Sequence, residues 1–462
     1  MGLSSILRSF GAILLIIGVS MIAPLGLAMM TNGPSGAYSF AIVVTITTGC
    51  GALVVSMRQP TKSDFRGALV VILLWWCVAP LFGALPFFLS GLPPGDAYFE
   101  AVSAITTTGA WLSHEAAVAS PADALWRALM QWLGGLASLA IAAAIFIRPA
   151  FIGIDTILPP FSRGDHESYL RALRNAVSAF FAVYAGVTAI CAIMVNAAGA
   201  PIFDAIILAL SGVSTGGFVI NPDGVDGYGI IVAASLLPIM VFGGANFIVF
   251  AQLARGVRRG ADEFENQTFL LMAVVIGLVF WIMAGAKTVE GIFPQIFNAF
   301  SLLSTSGIMI GENPPLTVAL VTAMIGGAAV STAGGFKILR WVVIMRRARE
   351  ELRRLIMPNA VQGLRRVSNE FGVWTHFLVF TTVLGVLVIG ISAAGHNFDV
   401  VAAAATAAIS NTGPLLYIAD GDISGYNHFD PAIRWLLILA MIIGRLEAAA
   451  ALALLNPLFW RS

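Results

Sequence analysis

Apolar runs of two lengths alternate along this chain. The long ones fall at about 6–30, 37–57, 66–89, 124–147, 173–196, 228–253, 268–286, 317–345, 371–394 and 432–455. Each is near the roughly 20 residues a helix needs to cross the hydrocarbon core of a bilayer. The short ones, at 97–105, 202–213, 292–303 and 398–409, cannot cross alone. Each short run leads into a polar peptide centred on glycine: Thr106-Thr107-Thr108-Gly109-Ala110, Ser214-Thr215-Gly216-Gly217-Phe218, Ser304-Thr305-Ser306-Gly307-Ile308 and Ser410-Asn411-Thr412-Gly413-Pro414. One such peptide would be a turn. Four, aligned on Gly109, Gly217, Gly307 and Gly413, are an internal repeat, and a repeat decides architecture before local detail does. The pattern predicts two leading spans in 1–62, then four units of span, half-span, glycine peptide and span in 63–155, 156–260, 261–366 and 367–462.

Each unit holds two full spans, so all four begin and end on one side of the membrane and share one orientation. The expected fold is an all-α polytopic membrane protein whose four parallel units surround one pseudo-fourfold axis, with the half-spans and peptides meeting near one end of it. Re-entrant backbone at membrane depth is tolerated only where protein buries it or it lines a watery cavity. The alternative is four helix-ending turns that happen to contain glycine. It leaves unexplained why all four follow a half-span on the same side.

Composition agrees. Of 462 residues, 58% are hydrophobic and 11% charged, against about 25% charged in soluble domains. Arg8 precedes the first apolar run, but that run exceeds the ~7–15 residues of a signal-peptide core and a second follows at once, so a retained helix is expected. Cys50, Cys77 and Cys191 form no CxxC, which indicates neither a disulfide framework nor a metal site. His114, His166, His376, His396 and His428 are scattered, and no paired carboxylates or nucleophile–base pattern marks an enzyme. No cofactor is expected. A net charge of +1 names no partner, and no nucleic acid is expected to bind.

Charge sets sidedness. One side collects Arg8, Arg58, Lys62, Arg66, Arg148, Arg163, Arg171, Arg174, Arg255, Arg258, Arg259 and a dense block from Arg340 to Arg366; the other holds Arg127, Lys287 and Arg434. By the positive-inside rule the N-terminus is cytoplasmic. The outer side instead carries acids, among them Asp96, Glu100, Asp123, Asp204, Asp226, Glu312 and Asp399. Such one-sidedness raises local cation concentration at an entrance. The Arg346 to Arg366 stretch admits two readings, an anionic-lipid contact or a dock for a cytosolic partner.

The peptides suit a cation. A dehydrated cation needs oxygens in place of its hydration shell, and rings of backbone carbonyls supply them without formal charge. Turning successive carbonyls to one axis needs dihedrals that a Cβ resists, hence a glycine in every copy. Half-helices whose partly negative C-terminal ends face the axis would help. The candidate ligands are Thr107, Thr108 and Gly109; Thr215, Gly216 and Gly217; Thr305, Ser306 and Gly307; and Asn411, Thr412 and Gly413.

Two more features bear on ion flow. Gly326, Gly327, Ser331, Thr332, Gly334 and Gly335 fall inside an apolar run, where each glycine weakens a helix by up to ~1 kcal/mol relative to alanine. They predict an unwound loop below the peptides that blocks the pore and withdraws on activation; the alternative is close packing of small residues between helices. The run does not match the phosphate-loop pattern G-x-x-x-x-G-K-[ST]. Lys337 borders it and could instead snorkel to the cytoplasm. Arg445 lies deep in the last span with Glu447 nearby. An intramembrane charge faces a partner or water, so Arg445 either holds helices together or limits cation flow beside the pore.

These residues resemble the TrkH/TrkG/KtrB superfamily of potassium-uptake proteins. The resemblance rests on the four peptides, on Arg127-Ala128-Leu129-Met130-Gln131-Trp132-Leu133-Gly134-Gly135, on the stretch from Gly326 to Lys337, on that from Glu351 to Val361, and on Gly444-Arg445-Leu446-Glu447. It covers nearly the whole chain, and the two leading spans bring it nearer TrkH than KtrB. It implies potassium uptake across a bacterial cytoplasmic membrane through a carbonyl filter, driven by membrane potential. It also implies a homodimer with one pore per subunit and a cytosolic nucleotide-binding partner like TrkA. A proton- or sodium-coupled potassium symporter on the same fold is the alternative. Where the family usually has Ser-Thr-Gly-Gly-Gly, this chain has Ser331-Thr332-Ala333-Gly334-Gly335. All four filter glycines are present, which by resemblance favours potassium over sodium.

Overall fold

The computed structural model describes residues 3–57, 65–145, 169–253, 263–284, 288–357, 371–421 and 423–446. Among them every regular element is helical. Helices α1 (Leu3–Ser20) and α2 (Ile22–Met57) pack on each other as a leading hairpin. Hydrogen bonding runs through their joint at Met21, and the chain turns back at Gly33, where φ is 67°. Two apolar stretches result, Ser4–Thr31 and Gly36–Ser56.

The first unit contains α3 (Phe65–Leu73), a π turn at Leu74–Val78, α4 (Ala79–Leu89), α5 (Pro94–Ile105), the one-turn α6 (His114–Val118) and α7 (Pro121–Ile145). The second contains α8 (Tyr169–Ala197), α9 (Ile202–Val213), α10 (Ile230–Gly244) and α11 (Phe247–Leu253). The third contains α12 (Glu263–Met283), α13 (Ile292–Leu303), α14 (Leu316–Ile325) and α15 (Ile338–Ile356). The fourth contains α16 (Phe371–Ser392), α17 (Phe398–Ser410), the one-turn α18 (Leu416–Ala419) and α19 (Pro431–Arg445).

The short helices α5, α9, α13 and α17 start where the sequence sets φ and charge. Pro93 and Pro201 cap α5 and α9, and Asp96, Asp204 and Asp399 sit in the first turns of α5, α9 and α17. Proline pre-sets the entering backbone, and a first-turn carboxylate complements the helix dipole. Packing then runs in a circle. Helix α9 lies on α7, α13 on α10 and α17 on α14, each on the second long segment of the preceding unit; α5 lies on α19 and closes the loop.

Two of the expected spans differ in the structure. The run 228–253 is two helices, α10 and α11, bent by 98°. The bend is held by the Asn246 N–H on Asn266 Oδ1 at 2.7 Å and by the Phe247 N–H on the Val330 carbonyl at 2.7 Å. The run 317–345 stops at Ile325 and resumes at Ile338. The final run is described only to Leu446, so Glu447 lies outside the described residues, as do Arg58, Lys62, Arg148, Arg163, Arg255, Arg258, Arg259, Lys287 and residues 358–366 of the basic block. Among the described residues six helices are long and apolar enough to cross a membrane, or seven if the bent pair counts as one span.

Two residues of the expected outer side are buried within the protein. Glu100 and Arg127 are each 2% exposed and pair at 2.8 Å. Burial of either charge alone would be costly, and the pairing compensates. By contrast Asp96 and Arg434 pair at 3.2 Å while partly exposed.

Candidate functional site

The four short helices end alike. Thr107, Thr215 and Thr305, each one residue past the helix cap, and Asn411, itself the cap, have φ of 53°, 58°, 61° and 55°. Left-handed backbone at a β-branched residue costs about 1–3 kcal/mol and persists only where its surroundings hold it. Here the glycine two residues on follows at positive φ in three copies, 71° at Gly109, 71° at Gly217 and 72° at Gly307. All twelve candidate ligand residues in these peptides are buried.

The peptides meet in chain order. A Cβ on Gly109 would collide with the Gly216 carbonyl oxygen, and one on Gly217 with that of Ser306. A Cβ on Gly307 would lie 3.0 Å from Pro414 Cβ. The Gly413 N–H donates to the Thr108 carbonyl at 2.5 Å, which brings the fourth peptide to the first. No side chain fits at these glycines without displacing a neighbour: main chain fills the space at Gly109, Gly217 and Gly413, and the Pro414 ring fills it at Gly307.

Serines behind the peptides fix their shape. Ser103 Oγ accepts the Ala110 N–H at 2.7 Å and Ser211 Oγ the Phe218 N–H at 2.6 Å. Farther back, Glu100 Oε1 accepts the Leu112 N–H at 2.8 Å, and Asn298 Oδ1 accepts the Ile310 N–H at 2.9 Å. Gln131 Nε2 donates to the Gly216 carbonyl at 2.8 Å. Of these five residues only Glu100, as an outer-side acid, and Gln131, within the Arg127–Gly135 stretch, were named from sequence. The signal was present for the serines, since Ser103, Ser211 and Ser301 share one offset from the peptide glycine.

The helical side of the ring meets the segment between α14 and α15. Gly326 and Gly335, at φ of 74° and 72°, turn the chain out of helix and back. Thr332 Oγ1 donates to the Val213 and Gly243 carbonyls, both at 3.0 Å. The Gly334 N–H donates to Thr305 Oγ1 at 2.7 Å and the Gly335 N–H to the Ser410 carbonyl at 3.1 Å. The Gly327 carbonyl accepts the Ile338 N–H at 3.0 Å. Lys337, expected to line the segment or snorkel away, turns towards it, with Nζ on the Ala333 carbonyl at 2.5 Å and Ser331 Oγ at 3.3 Å.

Arg445 joins both parts. Its Nε donates to the Thr106 carbonyl at 2.5 Å, one terminal nitrogen donates to the Thr332 carbonyl at 2.7 Å, and the other to Thr107 Oγ1. Its side chain is 8% exposed and borders a cavity of about 40 Å³ that Ser331, Gly334, Lys337 and Arg340 also line. A cavity of that size has room for a few waters. Chemically, main-chain oxygens that converge on one point can hold a dehydrated cation, and a guanidinium beside such a point opposes the passage of one.

A family model described as TrkH, cation transport protein, matches residues 41–286 and 292–456. The chain belongs to the TrkH family of cation transport proteins. It is a multi-pass membrane protein of a transporter family, not an enzyme. It is similar to the Trk system potassium uptake protein TrkH of Halomonas elongata, with 29% identity over 492 residues covering 100% of both chains. It is also similar to TrkI of the same organism, at 28% identity over 99% of this chain and 96% of the relative. Among solved structures, the crystal structure of the potassium transporter TrkH from Vibrio parahaemolyticus superposes with a TM-score of 0.87 at 26% identity, covering 100% of each chain.

Proposed function

We propose that this TrkH-family chain takes up potassium through the ring formed by Thr107 to Gly109, Thr215 to Gly217, Thr305 to Gly307 and Asn411 to Gly413. The observation that carries the reading is the closure of four re-entrant peptides on one another in chain order, at glycines whose Cβ positions are filled by the neighbouring peptide. Backbone oxygens at that ring replace the hydration shell of the ion. The potassium uptake of the Trk relatives supports the choice of ion.

The driving force in this reading is the membrane potential. One charge moved through 100 mV is worth about 2.3 kcal/mol, enough for roughly 50-fold accumulation without a coupled ion. Residues 326–337 act as the gate: while Gly334 and Gly335 hold the third and fourth peptides, the path below the ring stays filled. Arg445 is the charge barrier at the base. The chain sits in a bacterial cytoplasmic membrane with its N-terminus inside, as a homodimer, and a cytosolic nucleotide-binding subunit sets the gate. The basic stretch of α15 meets anionic lipid or that subunit.

The test is ion flux in liposomes of purified protein, with K+, Rb+ and Na+ and an imposed potential, with and without a proton gradient. Saturable K+ and Rb+ uptake whose reversal potential follows K+ alone supports the reading. A reversal potential shifted by pH or by Na+ replaces it with coupled symport.

A further inference from the structure

Four equivalent oxygens need four peptides of one conformation, and the fourth departs from the other three. Gly413 does not share the positive φ of Gly109, Gly217 and Gly307; it opens a 3-10 turn, Gly413–Leu415. Both of its main-chain polar groups are engaged. The Gly413 N–H donates to the Thr108 carbonyl at 2.5 Å, and the Gly413 carbonyl accepts the Tyr426 hydroxyl at 2.8 Å. Two oxygens that a cation would use are thereby occupied by hydrogen-bond donors.

The residue after this corner reaches over its neighbours. A Cβ on Gly307 would lie 3.0 to 3.1 Å from three atoms of the Pro414 ring, and one on Gly217 would lie 3.2 Å from Pro414 Cγ. Gly217 belongs to the second peptide, two places from the fourth in the circle. The proline ring therefore spans the glycine end of the site instead of standing beside it.

Tyr426 is placed to hold that corner. It is 0% exposed. Its N–H donates to the Trp111 carbonyl at 2.8 Å, and the Asn427 N–H donates to the Leu112 carbonyl at 3.0 Å. Its ring packs against Phe99 at 5.7 Å and Phe429 at 5.9 Å. The hydroxyl is thus fixed through the main chain and through two ring contacts, and it donates to the Gly413 carbonyl.

We propose that the Gly413–Pro414 corner is a closure at the glycine end of the ion path, latched by the Tyr426 hydroxyl, and that it turns before the ring accepts an ion. The inference rests on the reading of the ring as an ion path. Turning the corner breaks the Gly413–Thr108 and Tyr426–Gly413 hydrogen bonds together and moves the proline ring aside; the Leu416 N–H stays on the Gly413 carbonyl within the turn. Tyr426 is a positioning residue: it touches the ring's main chain, not the ion. When only a fraction of molecules is competent to bind, apparent affinity is reduced by that fraction. Loss of one net hydrogen bond from the closed form then raises apparent affinity by about 2- to 10-fold.

The experiment is Rb+ and K+ uptake by wild type, Tyr426→Phe and Pro414→Ala in one liposome system, with protein per vesicle measured. Tyr426→Phe keeps the ring and removes only the hydroxyl. The expected result is a KM for K+ lowered about 2- to 10-fold without loss of maximal rate. A tyrosine that merely supported the fold would lower maximal rate or protein yield at unchanged KM. If Tyr426→Phe fails to reach the membrane, Pro414→Ala decides, since it removes the spanning ring and leaves the hydroxyl; a lowered KM supports the latch and an unmoved one overturns it. Wild-type uptake with unmoved KM in both variants sinks the latch alone. A wild type that moves neither ion sinks the ring reading and the latch with it.

Discussion

The Thr305 hydroxyl accepts the Gly334 N–H at 2.7 Å, so the third peptide and the segment between α14 and α15 share a direct polar contact. Both groups are buried. Thr305→Val keeps the shape and removes the acceptor, leaving a buried N–H unsatisfied at about 1–3 kcal/mol. The expected outcome is a lower melting temperature for the detergent-solubilised protein and a raised basal K+ leak, with Thr305→Ser close to wild type on both. Equal melting and equal leak for the valine variant would remove this contact from the gate.

Arg445 bears on the same junction from the other side, with hydrogen bonds to the Thr106 and Thr332 carbonyls. A unit charge about 4 Å from a passing cation opposes it by about 4 kcal/mol at an effective dielectric of 20. Arg445→Ala is expected to raise Rb+ flux per copy at least about tenfold, since each 1.4 kcal/mol is a factor of ten. Arg445→Lys keeps the charge and is expected near wild type. If alanine and lysine lose flux alike, Arg445 serves to hold the first peptide against the loop, and its charge is incidental.

Glu265 anchors the loop at a third point. Oε1 accepts the Ala329 N–H at 2.6 Å and Oε2 accepts Asn246 Nδ2 at 2.9 Å, which ties the start of α12 to the bend between α10 and α11 and to the loop. Hydrogen bonds to a charged acceptor contribute about 1.5–3 kcal/mol. Glu265→Gln is therefore expected to lower stability by about 1–2 kcal/mol and to raise basal leak, read by thermal unfolding and by flux without any added partner. A stability loss with unchanged leak would assign Glu265 to the fold and not to the gate.

The sequence carried the short helices well and the contacts between them poorly. The expected half-spans 202–213 and 292–303 coincide with α9 and α13, because an abrupt apolar start and a glycine peptide bracket each one. The bend at Ala245 and Asn246 was not read from the sequence, although Gly243, Gly244 and Asn246 interrupt the apolar run there. What holds it, Asn266 Oδ1 and the Val330 carbonyl, comes from the next unit. The interruption after Ile325 was legible in its glycines, but the partners that clamp it, Gly243, Thr305 and Ser410, lie in three other peptides and helices. The fourth peptide looked equivalent to the rest, and Tyr426 and Pro414 make it different through contacts that exist only after folding.

The buried pair behind the first peptide gives the most direct test of the scaffold. Arg127 Nε meets Glu100 Oε2 at 2.8 Å, its guanidinium lies 4.4 Å from the centre of the Phe87 ring, and a terminal nitrogen donates to the Ala117 carbonyl at 3.1 Å. The other Glu100 oxygen holds the Leu112 N–H, so the pair fixes the chain just beyond Gly109. Removing one partner strands the other charge away from water, at about 3–5 kcal/mol. Glu100→Gln and Arg127→Met are each expected to destabilise by that order. The double variant is expected to lose less than the two singles together, because neither charge is then left alone. Thermal unfolding of the four proteins in one detergent measures the coupling. Strictly additive losses would mean that each residue acts through its own packing, and that the first peptide does not depend on the pair.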